Sequence, residues 1–289
     1  MLPRFFRYEP PGPPKAVVLV VHGLNLHPDR MGSICTLLQS LGVLVVRMAL
    51  SGHRGDYTAL EEITRESWLE DYNAASQLLG SVTAEGGPAS GLPVGFLGQS
   101  LGALTFCDFL LSEPTAGPTP GRADPVGADP TGAEPALPQF SGALLLSPAL
   151  SLRPKTQILR PLTALTRRLP IPSASSPNDR LYPRLPAAAY HALYRSHHEL
   201  RRRLRGDELP IPATVVMHPR DELISRPGIE RLIRAGHLPG GSLVLLAPNN
   251  ESRGTRHLAV CEQTMGRANW RRFEGVVAEF VGVLAGESG

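Results

Sequence analysis

VGFLGQSLGALTF, Val94 to Phe106, is the stretch on which the fold of this chain turns. An apolar run breaks at Gly98, a single hydroxyl stands at Ser100, and after Gly102 the apolar residues resume as Leu104, Phe106 and Leu110 at helical spacing. Gly98-Gln99-Ser100-Leu101-Gly102 matches G-x-S-x-G. Chance would supply roughly 0.2 such matches in a chain this rich in glycine, so the five residues alone carry little. Their context carries more. A strand that ends just before the serine and a helix that starts just after it hold a hydroxyl on a sharp, exposed turn. The small flanking residues let the chain turn and a substrate approach. The helix N-terminus adds free N–H groups and the positive end of its dipole.

Such a turn needs a parallel sheet around it, and the rest of the chain supplies one. AVVLVV (16–21), VLVVRM (43–48), VGFLG (94–98), GALLLS (142–147), ATVVMH (213–218) and SLVLLA (242–247) read as strands. They are apolar throughout instead of alternating, the pattern of parallel strands covered on both faces. Helical periods lie between them, over 31–41 and 60–79. The clearest is the last, where Trp270, Phe273, Val277, Phe280, Val281 and Leu284 fall on one face. This alternation predicts an α/β protein with a doubly wound, mostly parallel sheet in one domain. RFFRY (4–8) reads as an added edge strand.

Two segments interrupt the rhythm. Residues 113–138 are poor in large apolar side chains and carry ADPVG, ADPTG and AEPA in tandem, which predicts a flexible loop insertion. Residues 150–209 instead carry Ile158, Leu159, Leu162, Leu165 and Leu169, and then Tyr190, Leu193, Tyr194, His197, Leu200 and Leu204 on one helical face. This predicts a small helical cap inserted into a core made of residues 1–149 and 210–289. Arg201, Arg202, Arg203 and Arg205 read as a solvated helix end that complements the dipole.

Bulk properties narrow the function classes. An apolar content of 42% with 19% charged residues describes an ordinary globular chain, and a net charge of +3 leaves no nucleic-acid footprint. No apolar run approaches the ~20 residues that span a bilayer, so no integral membrane segment is expected. The N-terminal MLPRFFRYEPPGPPK lacks the apolar core of a signal peptide. Cys35, Cys107 and Cys261 are odd in number and far apart, which favours a reducing, cytoplasmic setting over a disulfide framework. No histidine and carboxylate pairs fall at metal-ligand spacing, and no phosphate or dinucleotide loop follows a strand, so no cofactor or metal is expected.

A serine hydroxyl is a weak nucleophile at neutral pH and needs a histidine base oriented by a carboxylate. On a sheet of this kind the chain order is serine, then the acid after a later strand, then the histidine after the last. His257 occupies the base position, whereas His237 precedes the last strand and His218 ends the one before it. His191, His197 and His198 belong to the inserted segment. The acid falls in HPRDELIS, where Asp221 is preferred for its shorter side chain as the loop leaves the strand. Glu222 remains an alternative. An oxyanion would be met by backbone N–H groups, one from Leu101 after the serine and one from Leu24 in HGLN. His22 then ties that loop through its ring.

Taken together, VVLVVHGLN, SGHRGD (51–56), GQSLGA, LLLSPAL (144–150), HPRDELIS and the His257 loop resemble the capped esterase and monoacylglycerol-lipase group of α/β-hydrolases. The resemblance spans nearly all of the chain from Ala16 onward. It implies a serine carboxylic-ester hydrolase working through an acyl-enzyme on Ser100. Its substrate would be a small-molecule ester whose apolar acyl chain lies under the cap. Departures are Pro219, where relatives often carry glycine, and the 113–138 insertion. The same triad serves serine aminopeptidases, thioesterases and acyltransferases. An aminopeptidase would need an acidic group in the cap, where Asp179, Glu199, Asp207 and Glu208 are available. A non-enzymatic scaffold that binds a ligand or partner is the alternative from another class.

Overall fold

The computed structural model describes residues 2–112, 139–173, 175–248 and 255–287. The expected loop at 113–138 lies outside them. The strands in chain order are β1 (Phe5–Tyr8), β2 (Ala16–Val21), β3 (Val43–Met48), β4 (Val94–Gln99), β5 (Phe140–Leu146), β6 (Pro170–Pro172), β7 (Arg184–Pro186), β8 (Ala213–Met217) and β9 (Ser242–Leu245). Seven form one sheet in the order β1-β3-β2-β4-β5-β8-β9, and β6 pairs with β7 separately. Only β1 runs antiparallel in the large sheet, pairing Phe5 with Met48 and Tyr8 with Val45. The remaining pairs are parallel.

The helices are α1 (Gly32–Ser40), α2 (Tyr57–Glu61), α3 (Arg65–Thr83), α4 (Leu101–Ser112), α5 (Arg160–Leu165), α6 (Ala187–Arg203), α7 (Arg226–Arg234), α8 (Glu262–Met265) and α9 (Arg267–Leu284). The continuous apolar strands have a direct cause. Val17, Leu19 and Val21 of β2 point into a core with Trp68, Tyr72 and Phe106. Val18 and Val20 point the other way, into a core with Ile34, Phe273 and Val277. Every residue of β2, β3 and β4 is buried. Each large side chain so covered contributes about 1.5–3 kcal/mol of transfer free energy.

One helix expected over 60–79 is two. α2 ends at Glu61, and α3 restarts behind Thr64, whose hydroxyl accepts from Ser67 N (3.1 Å) while Ser67 Oγ accepts from Thr64 N (3.3 Å). This reciprocal cap satisfies two orphan donors and fixes the break.

The stretch between β5 and β8 folds as α5, the β6–β7 hairpin and α6. A buried network fastens it to the core. Asp108 of α4, fully buried, accepts from Arg65 Nε and Nη2 at 2.7 and 2.8 Å and from Ser196 Oγ of α6 at 2.7 Å. The arginine run at the end of α6 is only partly solvated, because Arg203 Nη1 donates to Leu111 O at 2.6 Å.

Candidate active site

β4 ends at Gln99, and Ser100 takes φ +50°, a left-handed conformation costly for a side chain with a Cβ, before α4 begins at Leu101. Neighbouring backbone packs against this turn wherever glycine permits. A Cβ on Gly102 would lie 2.7 Å from His22 O, and one on Gly23 only 1.9 Å from Gln99 Oε1. Gly102 therefore lets the turn close on the backbone of the loop after β2, and Gly23 makes room in that loop for the Gln99 side chain.

His257 Nε2 lies 2.8 Å from Ser100 Oγ, and its Nδ1 lies 2.9 Å from Asp221 Oδ2 and 3.2 Å from Oδ1. A carboxylate can only accept, so Nδ1 carries the proton and Nε2 presents its lone pair to the serine hydroxyl. Asp221 is fully buried, and Ser100 and His257 nearly so. Burial alone would raise the Asp221 carboxyl. The His257 charge, the His257 N–H bond and the amides of Ile224 and Leu223 outweigh it and hold the pKa below the ordinary value. The residues expected as nucleophile, base and acid thus stand in one hydrogen-bonded line.

Glu222 is the carboxylate that does not reach the imidazole ring. It is more than a solvated loop charge: Oε2 accepts from His257 N (3.1 Å), and Oε1 accepts from Arg256 N and Nη1, both at 3.2 Å. It holds the histidine's backbone while Asp221 holds its ring.

Three groups escaped the sequence reasoning: Gln99, His53 and Asn25. Gln99 donates from Nε2 to His257 O at 3.3 Å, so the residue before the serine steadies the histidine loop. Its only sequence signal is a polar side chain where β4 is otherwise buried and apolar. His53, in SGHRGD, accepts at Nε2 from Asn25 N at 3.0 Å. His22 ties the same loop, its Nε2 accepting from Leu50 N (3.1 Å) and its Nδ1 lying 2.8 Å from Gly23 O. Burial lowers the pKa of both rings, His53 to about 4, and so keeps them neutral acceptors.

Asn25 follows Leu24 and has φ +57°. Its side chain spans to the inserted segment: Nδ2 donates to Ser173 Oγ and Tyr182 O, and Oδ1 accepts from Tyr182 N, all at 2.9 Å. Leu24 lines the same cavity as Ser100, and Leu101 is the first residue of α4, directly after the serine.

A cavity of about 470 Å³ lies over Ser100 and His257. Its lining combines apolar side chains, Leu152, Leu185, Tyr190, Leu193, Tyr194 and Ile224, with the polar Asn25, Ser173, Ser175, Ser176 and Asp179. Of the cap's apolar residues, Tyr190, Leu193 and Tyr194 line it, whereas Ile158, Leu159, Leu162, Leu165 and Leu169 do not and stand exposed instead. The hairpin and α6 already fill the inward positions, so α5 lies outside them. Among the described residues, no group of three or more His, Cys, Asp or Glu side chains is placed to hold a metal.

No protein-family model matches the chain, and no curated protein sequence does. Solved structures do match. One from work on the metagenome-derived lipolytic enzymes LipS and LipT is 16% identical, with a TM-score of 0.69 over 97% of this chain and 98% of that one. A soluble variant of the monoglyceride lipase of Saccharomyces cerevisiae is 12% identical, with a TM-score of 0.71 over 97% and 90%. The monoacylglycerol lipase of Paleococcus ferrophilus is 17% identical, with a TM-score of 0.66 over 98% and 99%. What chains this distant share is architecture, and with its parallel sheet and strand–serine–helix turn this chain has the α/β-hydrolase fold.

Proposed function

We propose that this protein is a serine carboxylic-ester hydrolase, with residues 150–209 acting as a cap over a core of residues 1–149 and 210–289. The observation that carries this is the line Ser100 Oγ–His257 Nε2–His257 Nδ1–Asp221 Oδ2, at 2.8 and 2.9 Å, beneath a largely apolar cavity. Ser100 Oγ attacks the acyl carbonyl as His257 Nε2 takes its proton. Asp221 fixes the tautomer and stabilises the imidazolium. The Leu24 and Leu101 amides donate to the oxyanion, each contributing about 3 kcal/mol of barrier lowering in enzymes of this type. His257 then protonates the departing alcohol oxygen, leaving an ester on Ser100. A water deprotonated by His257 cleaves that ester and returns the hydroxyl.

The cavity supports an ester with an apolar acyl group along the Tyr190–Tyr194 wall and a hydroxylated alcohol group toward Ser173 and Ser176. The charges bear on the peptidase alternative. Asp179 pairs with Arg30 at 2.9 Å and Glu222 with Arg256 at 3.2 Å, so among the described residues both carboxylates lining the cavity are already paired with arginine. A free substrate amine would find no unpaired partner in them, which favours the ester.

Intact mass after exposure to a fluorophosphonate is the test. One stoichiometric adduct is expected, absent in Ser100→Ala and His257→Ala, followed by turnover of esters at a rate that varies with acyl length. A folded wild-type chain that takes no adduct and turns over no ester would overturn the assignment.

A further inference from the structure

Lysine occurs in the chain only at Lys15 and Lys155. Lys15 pairs with Glu287 at 3.1 Å. Among the described residues Lys155 has no ion-pair partner, yet it lines the cavity over Ser100. No other Lys or Arg among the described residues does so. The two carboxylates on that lining, Asp179 and Glu222, are held by arginines that stand outside it, Arg30 and Arg256. A substrate entering the cavity therefore meets one unmatched charge among the described residues, and it is positive.

The place of this charge is fixed by its backbone. Lys155 sits on a short 3₁₀ turn, Pro154–Gln157, that is pinned on two sides. On one side Leu152 bridges Ile224, Arg153 N donates to Leu223 O at 2.8 Å, and Arg153 Nε donates to Ile224 O at 3.2 Å. Leu223 and Ile224 are the residues whose amides hold Asp221. On the other side the Tyr194 hydroxyl of α6 donates to Thr156 O. Lys155 is thus tied both to the loop of the acid and to the Tyr194 end of the apolar lining. It is exposed, which sets it at the mouth of the cavity. The groove beside that mouth is positive as well. Lys155 shares it with Arg153 and Arg226, and its carboxylate, Glu230, is taken by Arg226 at 2.7 Å. An acyl chain lying along Tyr190 and Tyr194 runs toward Thr156 and Lys155, so the charge meets the far end of the acyl group and not the alcohol.

We propose that Lys155 selects esters whose apolar acyl chain ends in a carboxylate, that is, half-esters of dicarboxylic acids. This deepens the hydrolase assignment and rests on it. Hydrolysis adds water across the ester bond and releases an alcohol and a dicarboxylate. An ammonium on a flexible stem suits the task, because a point charge meets a terminal carboxylate without demanding one fixed approach.

The test is kcat/KM of the full chain for mono-p-nitrophenyl suberate beside p-nitrophenyl methyl suberate, the same chain with its charge capped. Wild type should prefer the half-ester about five-fold, the upper range for an ion pair open to solvent, and mainly through KM. Added salt should erode the preference. Lys155→Met keeps the stem without the charge and should bring the preference to about one. Lys155→Arg should retain most of it, and Lys155→Glu should invert it. No preference in wild type, or a preference that Lys155→Met leaves intact, would overturn the proposal. So would a loss in Lys155→Met confined to the octanoyl ester of 4-hydroxybenzenesulfonate, which would put the anion on the alcohol side. Turnover of both suberates at equal kcat/KM sinks this proposal alone and leaves the hydrolase assignment standing. Turnover of neither, with no fluorophosphonate adduct, sinks the hydrolase assignment and this proposal with it.

Discussion

At the scale of single residues, Asn25 joins two things the sequence keeps far apart. Its backbone N–H is held by His53, its carbonyl accepts from Leu181 N at 2.8 Å, and its side chain makes three bonds to Ser173 and Tyr182. Leu24, the proposed oxyanion donor, is the residue before it. Asn25→Gly keeps the left-handed backbone at no steric cost and deletes only the side-chain bonds. It should lower kcat about ten- to a hundred-fold by letting the Leu24 amide drift, with KM little changed. Asn25→Asp keeps the acceptor toward Tyr182 N and should fall between the two. Steady-state kinetics on one ester decide it. A rise in KM at unchanged kcat would mean that Asn25 meets the substrate instead, and wild-type kinetics would end the idea. That Ser100, His257 and Asp221 meet in one hydrogen-bonded line was legible because a serine–histidine–acid site on such a sheet imposes an order along the chain. Asn25, Gln99 and His53 were not, because what each does is fixed by a partner 28 to 158 positions away.

At the scale of elements, the strands were legible because burial on both faces leaves an unbroken apolar run. The α2–α3 break was written in Thr64 and Ser67 but hidden by apolar spacing that continues across it. The outward face of α5 was hidden for another reason. Outside a sheet nothing in the sequence says which side of a short apolar helix faces the protein, and α6 had already taken the inward place. What holds α6 there is the Arg65–Asp108–Ser196 network, with Arg65 Nη2 also donating to Ser112 Oγ at 2.7 Å. Arg65→Met strands a buried carboxylate and should cost about 3–5 kcal/mol. Arg65→Met/Asp108→Leu removes both charges and should recover most of that loss. Urea unfolding at unchanged slope reads both variants. A single variant as stable as wild type would show that the ion pair contributes nothing to seating α6.

At the scale of the whole molecule, folding traps histidines where they cannot readily take a proton. Burial lowers His53 and His197 from 6.5 to about 4, with nearby arginines adding to the effect at His197, and it lowers His22 in the same direction. Unfolding frees these rings to protonate near pH 6.5. Between about pH 6.5 and 4 the unfolded chain therefore binds more protons than the native one, and stability falls as pH falls. The stabilisation is fully present above the unfolded value and is lost on descending to the folded one. Each of His53 and His197 should contribute a slope of about 1.4 kcal/mol per pH unit across that window, or about 3 kcal/mol apiece. Asp71, whose carboxyl burial raises, opposes this at the acid end. Thermal unfolding followed from pH 7 to pH 4 should show the midpoint dropping steadily. His53→Gln should remove about one proton's share of the slope. A midpoint that holds level across this range would mean that these rings protonate without leaving their sites. For His53 that would contradict its role as the acceptor holding Asn25, because a ring protonated at both nitrogens has no lone pair left to receive the Asn25 N–H.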